Sequence, residues 1–245
     1  METVSSTSSA SRRSLLDHDQ NVIRDDILRL GSMANEQLQL AVKALRDRNL
    51  DLAHQVISGD ERINQLRYKV EEECLTTIAT QQPAAGDLRR IITAMHMSVE
   101  MERIADHASG IAGIVIRMGS EAPLKPLIDI PRMQAITSEM LEQALDAFVK
   151  MDVAQARAIV VRDDEVDALY NQVLRELLTY MVQDKKSIAR AMYLLWVAHN
   201  LERSADRVTN LCERVIFAVT GDLGDYKPPK QPKPEPKPET LNGGA

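Results

Sequence analysis

The chain has 245 residues, 44% of them hydrophobic and 3% aromatic, with 36 acidic against 30 basic residues and a formal net charge of -6. That is enough apolar surface for a core that needs no covalent staples, while the acidic balance and scarce aromatics oppose a non-specific nucleic-acid binder, which needs a basic footprint and stacking platforms. Cys74 and Cys212 form no Cys-x-x-Cys pair, and neither a signal peptide nor an apolar run of about 18 residues is visible, so a cytoplasmic setting is expected.

Residues 1–13, rich in Ser and Thr, are expected to be a disordered tail. From Leu15 to Asp47 the apolar positions Val22, Ile23, Ile27, Leu30, Ala34, Leu38, Ala41 and Leu45 recur at three- and four-residue steps, the period of an amphipathic helix. Asn49 and Asp51 punctuate it, and a second periodic run continues from Leu52 to about Thr80, with Gly59 marking a place where it could bend. Pro83 suits a helix start, and Asp87 falls in the first turn of a third helix running to about Met118 on a stripe of Ala94, Met97, Met101, Ile104, Ala108, Ile111 and Val115.

Pro123, Pro126 and Pro131 cannot all occupy a helix interior, so residues 120–131 read as a linker between a first repeat, 14–119, and a second, 132–222. The pattern then begins again, with helices expected over about 133–150, 153–183 and 187–220. After Tyr226 a charged, Pro-rich run has no apolar residues to pack, and residues 223–245 are expected to be a disordered tail. Long helical runs joined by short connections predict an all-α fold of two tandem, pseudo-symmetric three-helix bundles.

The most informative stretch is Glu102-Arg103-Ile104-Ala105-Asp106, which returns 100 residues later as Glu202-Arg203-Ser204-Ala205-Asp206. On the fifth helix Asp163 and Asp167 repeat, at an offset of 103, the positions held by Asp60 and Asn64 on the second. A uniform offset that changes only in a connection is the signature of a duplicated unit. In each pair the side chains stand at i and i+4, roughly 5–6 Å apart at Cβ, where two carboxylates repel. The helical period turns Glu102 and Asp106 roughly 130–170° away from the middle of the apolar stripe, predicting an outer-face position.

Oxygen ledges of this kind suit hard cations such as Mg, Mn or Ca, and would admit iron, so Glu102, Asp106, Glu202, Asp206, Asp163, Asp167, Asp60 and Asn64 are the candidate metal ligands. Zinc is disfavoured because the motif lacks Cys and His. His107 and His199 lie near the acids but have no counterparts in the other repeat, and Arg103 and Arg203 are placed to neutralise them. No Gly-rich phosphate loop, Gly-x-Ser-x-Gly or His-Glu-x-x-His string appears, and both cysteines fall on apolar faces, so no catalytic residue is assigned.

Asp87-Leu88-Arg89-Arg90-Ile91 after a Pro-containing connection, Met101 through Ala108, and Asn200 through Arg207 together resemble the PhoU family of phosphate-signalling proteins over about residues 15–220. The resemblance implies a non-enzymatic cytoplasmic regulator that represses phosphate uptake and phosphate-starvation genes. Its implied partners are the ATPase of the phosphate transporter and a sensor histidine kinase, with membrane contact only through them, and it implies a homodimer with surface metal clusters on the acidic motifs. Asn64, where the second repeat has Asp167, and the Pro-rich tail depart from the family pattern. Two other readings stand beside this one: a metal-dependent phosphatase, and a structural bundle without metal.

Overall fold

The computed structural model describes residues 3–119, 121, 124–222 and 224, with side chains from Arg13 onward. Its helices are α1 (Thr3–Asp47), α2 (Leu50–Gln81), α3 (Ala85–Met118), α4 (Asp129–Lys150), α5 (Val153–Gln183) and α6 (Ile188–Thr220), with a 3-10 turn, Lys185–Ser187, ahead of the last. No strand occurs among the described residues, and none of their helices is long and apolar enough to cross a membrane. The expected Pro-rich tail lies outside the described residues, apart from residue 224.

α1, α2 and α3 pack on one another as one bundle and α4, α5 and α6 as a second, joined where α3 meets α6 and α1 meets α4. α3 and α6 run antiparallel: Arg89 donates to the Ala218 carbonyl at 3.3 Å, Thr93 to that of Arg214 at 3.2 Å, and Arg207 to Glu100 at 3.4 Å. The whole apolar stripe expected on α3 is buried, and the buried side chains of both halves form one continuous core. α3 and α6 bury Ala105, Ala112 and Ala205 as well, because each packs against its own bundle and against the other helix.

The duplication extends to the connections. Arg48 (φ 50°) and Met151 (φ 52°) take the same left-handed conformation. Each is followed by a capping side chain: Asn49 accepts from the Leu52 amide at 2.9 Å and Asp152 from that of Gln155 at 3.0 Å. These caps satisfy amides that the first helical turn leaves without partners.

Several boundaries differ from the sequence expectation. α1 is helical from Thr3, across residues expected to be a disordered tail; no Pro or Gly interrupts the sequence between residues 3 and 30. α2 passes through Gly59 without a break, and a Cβ there would lie 2.5 Å from Gln37 Nε2, so this glycine marks close approach to α1. α3 begins at Ala85, which leaves Pro83 in the connection. α4 begins at Asp129 and takes in Pro131, whose missing N–H falls among the first-turn amides that have no intrahelical acceptor.

Candidate functional site

The packing of α2 on α3, and of α5 on α6, brings the candidate ligands into two equivalent grooves. In the first, Asn64 donates to Asp60 Oδ2 at 3.0 Å, and the Ser109 hydroxyl reaches across from α3 to Asp60 Oδ1 at 3.4 Å. Burial, then the charge of Asp106, pushes the Asp60 carboxyl above its ordinary range. Glu102 is pushed the same way, again by burial first and Asp106 second, with Asp60 adding to the effect. Asp60, Glu102 and Asp106 are thus one interacting set.

In the second groove Glu202 is raised by burial and then by Asp206, Asp167 and Asp163 in that order. Asp163 is buried at 5% exposure. Glu202 Oε2 is buried and makes no hydrogen bond, although His199 Nδ1 stands 3.4 Å away. Asp206, Asp167 and Asp163 thus each lie close enough to Glu202 to raise its carboxyl.

The outer-face expectation describes Asp106 better than Glu102 and Glu202. The Glu102 and Glu202 side chains are only 16% and 23% exposed, while Asp106 keeps 41%. A helical wheel that counts one apolar stripe overlooks the neighbouring helix, and α2 and α5 cover the side the wheel assigns to solvent. The acids line grooves between helices.

The flanking cations differ between the halves. Arg103 is 3.2 Å from Asp106 and 3.6 Å from Glu102 at the rim of the first groove. From below, Arg67 pairs with Glu71 at 2.5 Å, approaches Glu102 at 3.9 Å, and lies 4.4 Å from the centre of the Tyr68 ring. Its counterpart 103 residues on is Tyr170, whose ring centre is 6.1 Å from that of His199. Arg67, Ser109 and Tyr170 escaped the sequence reading; comparing Arg67 with Tyr170 at the repeat offset is the signal that would have found the asymmetry.

His107 points away from the grooves' chemistry. Burial, with Arg203 and Arg207 beside it, pushes its imidazole down to about 4, so it is neutral at pH 7 in the α3–α6 seam. Cys74 and Cys212 are buried, their thiols pushed up to about 12 mainly by that burial.

The donor set suits a hard cation: carboxylate and amide oxygens, a buried carboxylate oxygen without a hydrogen bond, and carboxyls raised by burial first and by one another's charge second. Among the described residues no three Asp, Glu, His or Cys side chains are already drawn around one point.

Fold and grooves define the class: a duplicated three-helix bundle with one carboxylate-lined groove per repeat. The PhoU domain model matches residues 27–115 and 130–215, and the chain belongs to the PhoU family. It is 36% identical over 200 residues to the phosphate-specific transport system accessory protein PhoU homolog of Aquifex aeolicus, covering 82% of this chain and 90% of that protein. It is 34% identical over 199 residues to the corresponding accessory protein of Escherichia coli K12, covering 81% and 83%. The crystal structure of PhoU from Pseudomonas aeruginosa superposes with a TM-score of 0.80 at 35% identity, covering 84% of this chain and 99% of that one. The phosphate transport system regulatory protein PhoU from Streptococcus pneumoniae gives the same TM-score of 0.80 at 28% identity.

Proposed function

We propose that this protein is a non-catalytic accessory regulator of the phosphate-specific transport system, one that lowers phosphate uptake and represses the phosphate-starvation response. The observation that carries the reading is the likeness, at 34–36% identity over more than four fifths of the chain, to proteins named as accessories of that system. In this reading the protein works in the cytoplasm as a homodimer and contacts the transporter ATPase and a sensor histidine kinase.

The grooves supply cation sites: Asp163, Asp167, Glu202 and Asp206 in one half, and Asp60, Asn64, Glu102 and Asp106 in the other. A bound Mg, Mn or iron ion supplies positive charge that offsets carboxylate repulsion and sets the charge the surface shows to a partner. The chain's own part is to hold oxygens on two rigid helices per site and to limit water through half-burial. Arg103 at the groove rim keeps a positive charge beside the site.

The test is a pull-down from phosphate-replete cells scored for the transporter ATPase and the kinase, paired with elemental analysis of protein purified without added metal. Recovery of both partners is expected, together with loss of metal in a Glu102→Gln, Asp106→Asn, Glu202→Gln, Asp206→Asn variant. Recovery of neither partner would refute the regulatory reading, and equal metal content in the two samples would refute the site assignment.

A further inference from the structure

Away from both carboxylate grooves, a cavity of about 350 Å3 opens where α1, α3 and the end of α4 meet. Three cationic side chains line it, each from a different helix: Arg24, Arg90 and Lys150. No carboxylate is among its lining residues, in a chain with 36 acids against 30 bases. The floor is apolar and well packed, with Ile91 at 1%, Ala94 at 2% and Phe148 at 4% exposure. We propose that this cavity binds a small phosphate-bearing ligand with an apolar or aromatic body, of about the size of a mononucleotide.

The volume falls in the usual range of small-molecule sites, about 300–1,000 Å3, and the lining mixes apolar side chains (Ile23, Ile91, Ala94, Phe148) with polar and cationic ones. Two planar guanidinium groups favour a multiply charged oxyanion that can accept paired hydrogen bonds, and a phosphate monoester carries about -1.5 to -2 at neutral pH. The nearest acids do not quench these cations strongly. Arg24 pairs with its neighbour Asp25 at 3.1 Å and Lys150 with Asp146 at 2.7 Å, both exposed contacts of the weak kind. Asp87, at the start of α3, is held by Arg13 at 2.7 Å and Gln20 at 3.2 Å. The Arg90 side chain makes no hydrogen bond or ion pair with the described residues.

The repeat supplies an independent comparison. At offsets of 103 and 100, Arg24, Phe148, Met151 and Ala94 correspond to Leu127, Leu45, Arg48 and Leu194. Those four residues also surround one space, but it holds only about 10 Å3 and has Glu121 in its wall. With Leu127 in place of Arg24 and Leu194 in place of Ala94, the equivalent volume is filled and its charge is balanced. The open, purely cationic version occurs in one half only, so it is not a by-product of duplicating the fold.

The test is calorimetric titration of the full chain in chelator, so that no phosphate is held through a cation in the carboxylate grooves. The probes are AMP, inorganic phosphate, adenosine and succinate. AMP is expected to bind at one site, more tightly than inorganic phosphate, while adenosine and succinate give no heat. Arg24→Gln with Arg90→Gln is expected to weaken AMP tenfold or more with an unchanged helical spectrum, and Glu202→Gln to leave it unchanged. Absence of AMP binding, equal binding of any other probe, or an affinity indifferent to the two arginines would overturn the proposal. None of these outcomes bears on partner capture by the regulatory surface.

Discussion

Arg67 and Tyr170 hold equivalent positions 103 residues apart and leave their neighbouring acids in different electrostatic states: Arg67 Nε lies 3.9 Å from Glu102, whereas Tyr170 packs its ring 6.1 Å from that of His199. The first groove thus has three carboxylates and an amide, with Arg67 as well as Arg103 acting on Glu102; the second has four carboxylates, with Arg203 acting on Glu202. Metal-free protein titrated with Mn is expected to fill the second groove first. Glu202→Gln with Asp206→Asn should remove the tighter binding event, and Glu102→Gln with Asp106→Asn the weaker one. Arg67→Ala should tighten the weaker event about tenfold, a fraction of the bare attraction a half-screened charge pair has at this range. Two events of equal affinity, unmoved by Arg67→Ala, would contradict the asymmetry.

Glu202 also gives the metal-free protein a pH signature. Its carboxyl is raised by burial and by Asp206, Asp167 and Asp163, so the folded state holds its proton more strongly than the unfolded chain does. The resulting repulsion destabilises the fold above the folded-state pKa and vanishes below the unfolded value, near 4.3. Glu202→Gln should therefore raise Tm in chelator at pH 7.5, by about 2–4 °C if the relief is near 1 kcal/mol in a chain of this size. The difference from wild type should shrink as pH falls through the folded pKa. A gain that persisted unchanged to low pH would show that the carboxylate charge is not its source.

The duplication was legible because it is written in spacing: Asp163 and Asp167 could be aligned with Asp60 and Asn64 before any helix was placed. Helices α2 and α5 were legible for the same reason, since each has a single apolar stripe. α3 was harder, because its second buried side, Ala105 and Ala112, uses alanines that a hydrophobic count barely registers. The start of α4 was misplaced because Pro131 reads as a breaker, while a helix tolerates it in the first turn. The cationic cavity was invisible to any local pattern: Arg24, Arg90 and Lys150 belong to three helices, and only packing brings them together.

Cys74 and Cys212 should behave as packing groups. Burial raises both thiols to about 12, and Cys74 Sγ additionally donates to the Ile91 carbonyl at 3.6 Å. With almost no thiolate at pH 8 and no access, the folded protein should not react with a disulfide reagent on the minutes timescale. In guanidinium both of its two cysteines should react. Rapid labelling of either in the native protein would place that residue at a mobile or exposed site and contradict the packing of α2 on α3 or of α6 in its bundle.

Two helical glycines separate close approach from simple tolerance. A Cβ added at Gly31 would fall 2.7 Å from Leu145 Cδ1 and 2.9 Å from Cδ2, in the contact between α1 and α4 that joins the two halves. Leu145 is partly buried against the core, so its displacement costs packing there and Gly31→Ala should destabilise by about 1–3 kcal/mol, as overpacking does. A Cβ at Gly113 on α3 meets nothing within 4 Å. There only the backbone preference acts, and Gly113→Ala should stabilise by about 1 kcal/mol. Denaturant unfolding of both variants measures the two signs under one condition. If both substitutions stabilised, α1 and α4 would not be in the close contact that makes the two bundles one folded body.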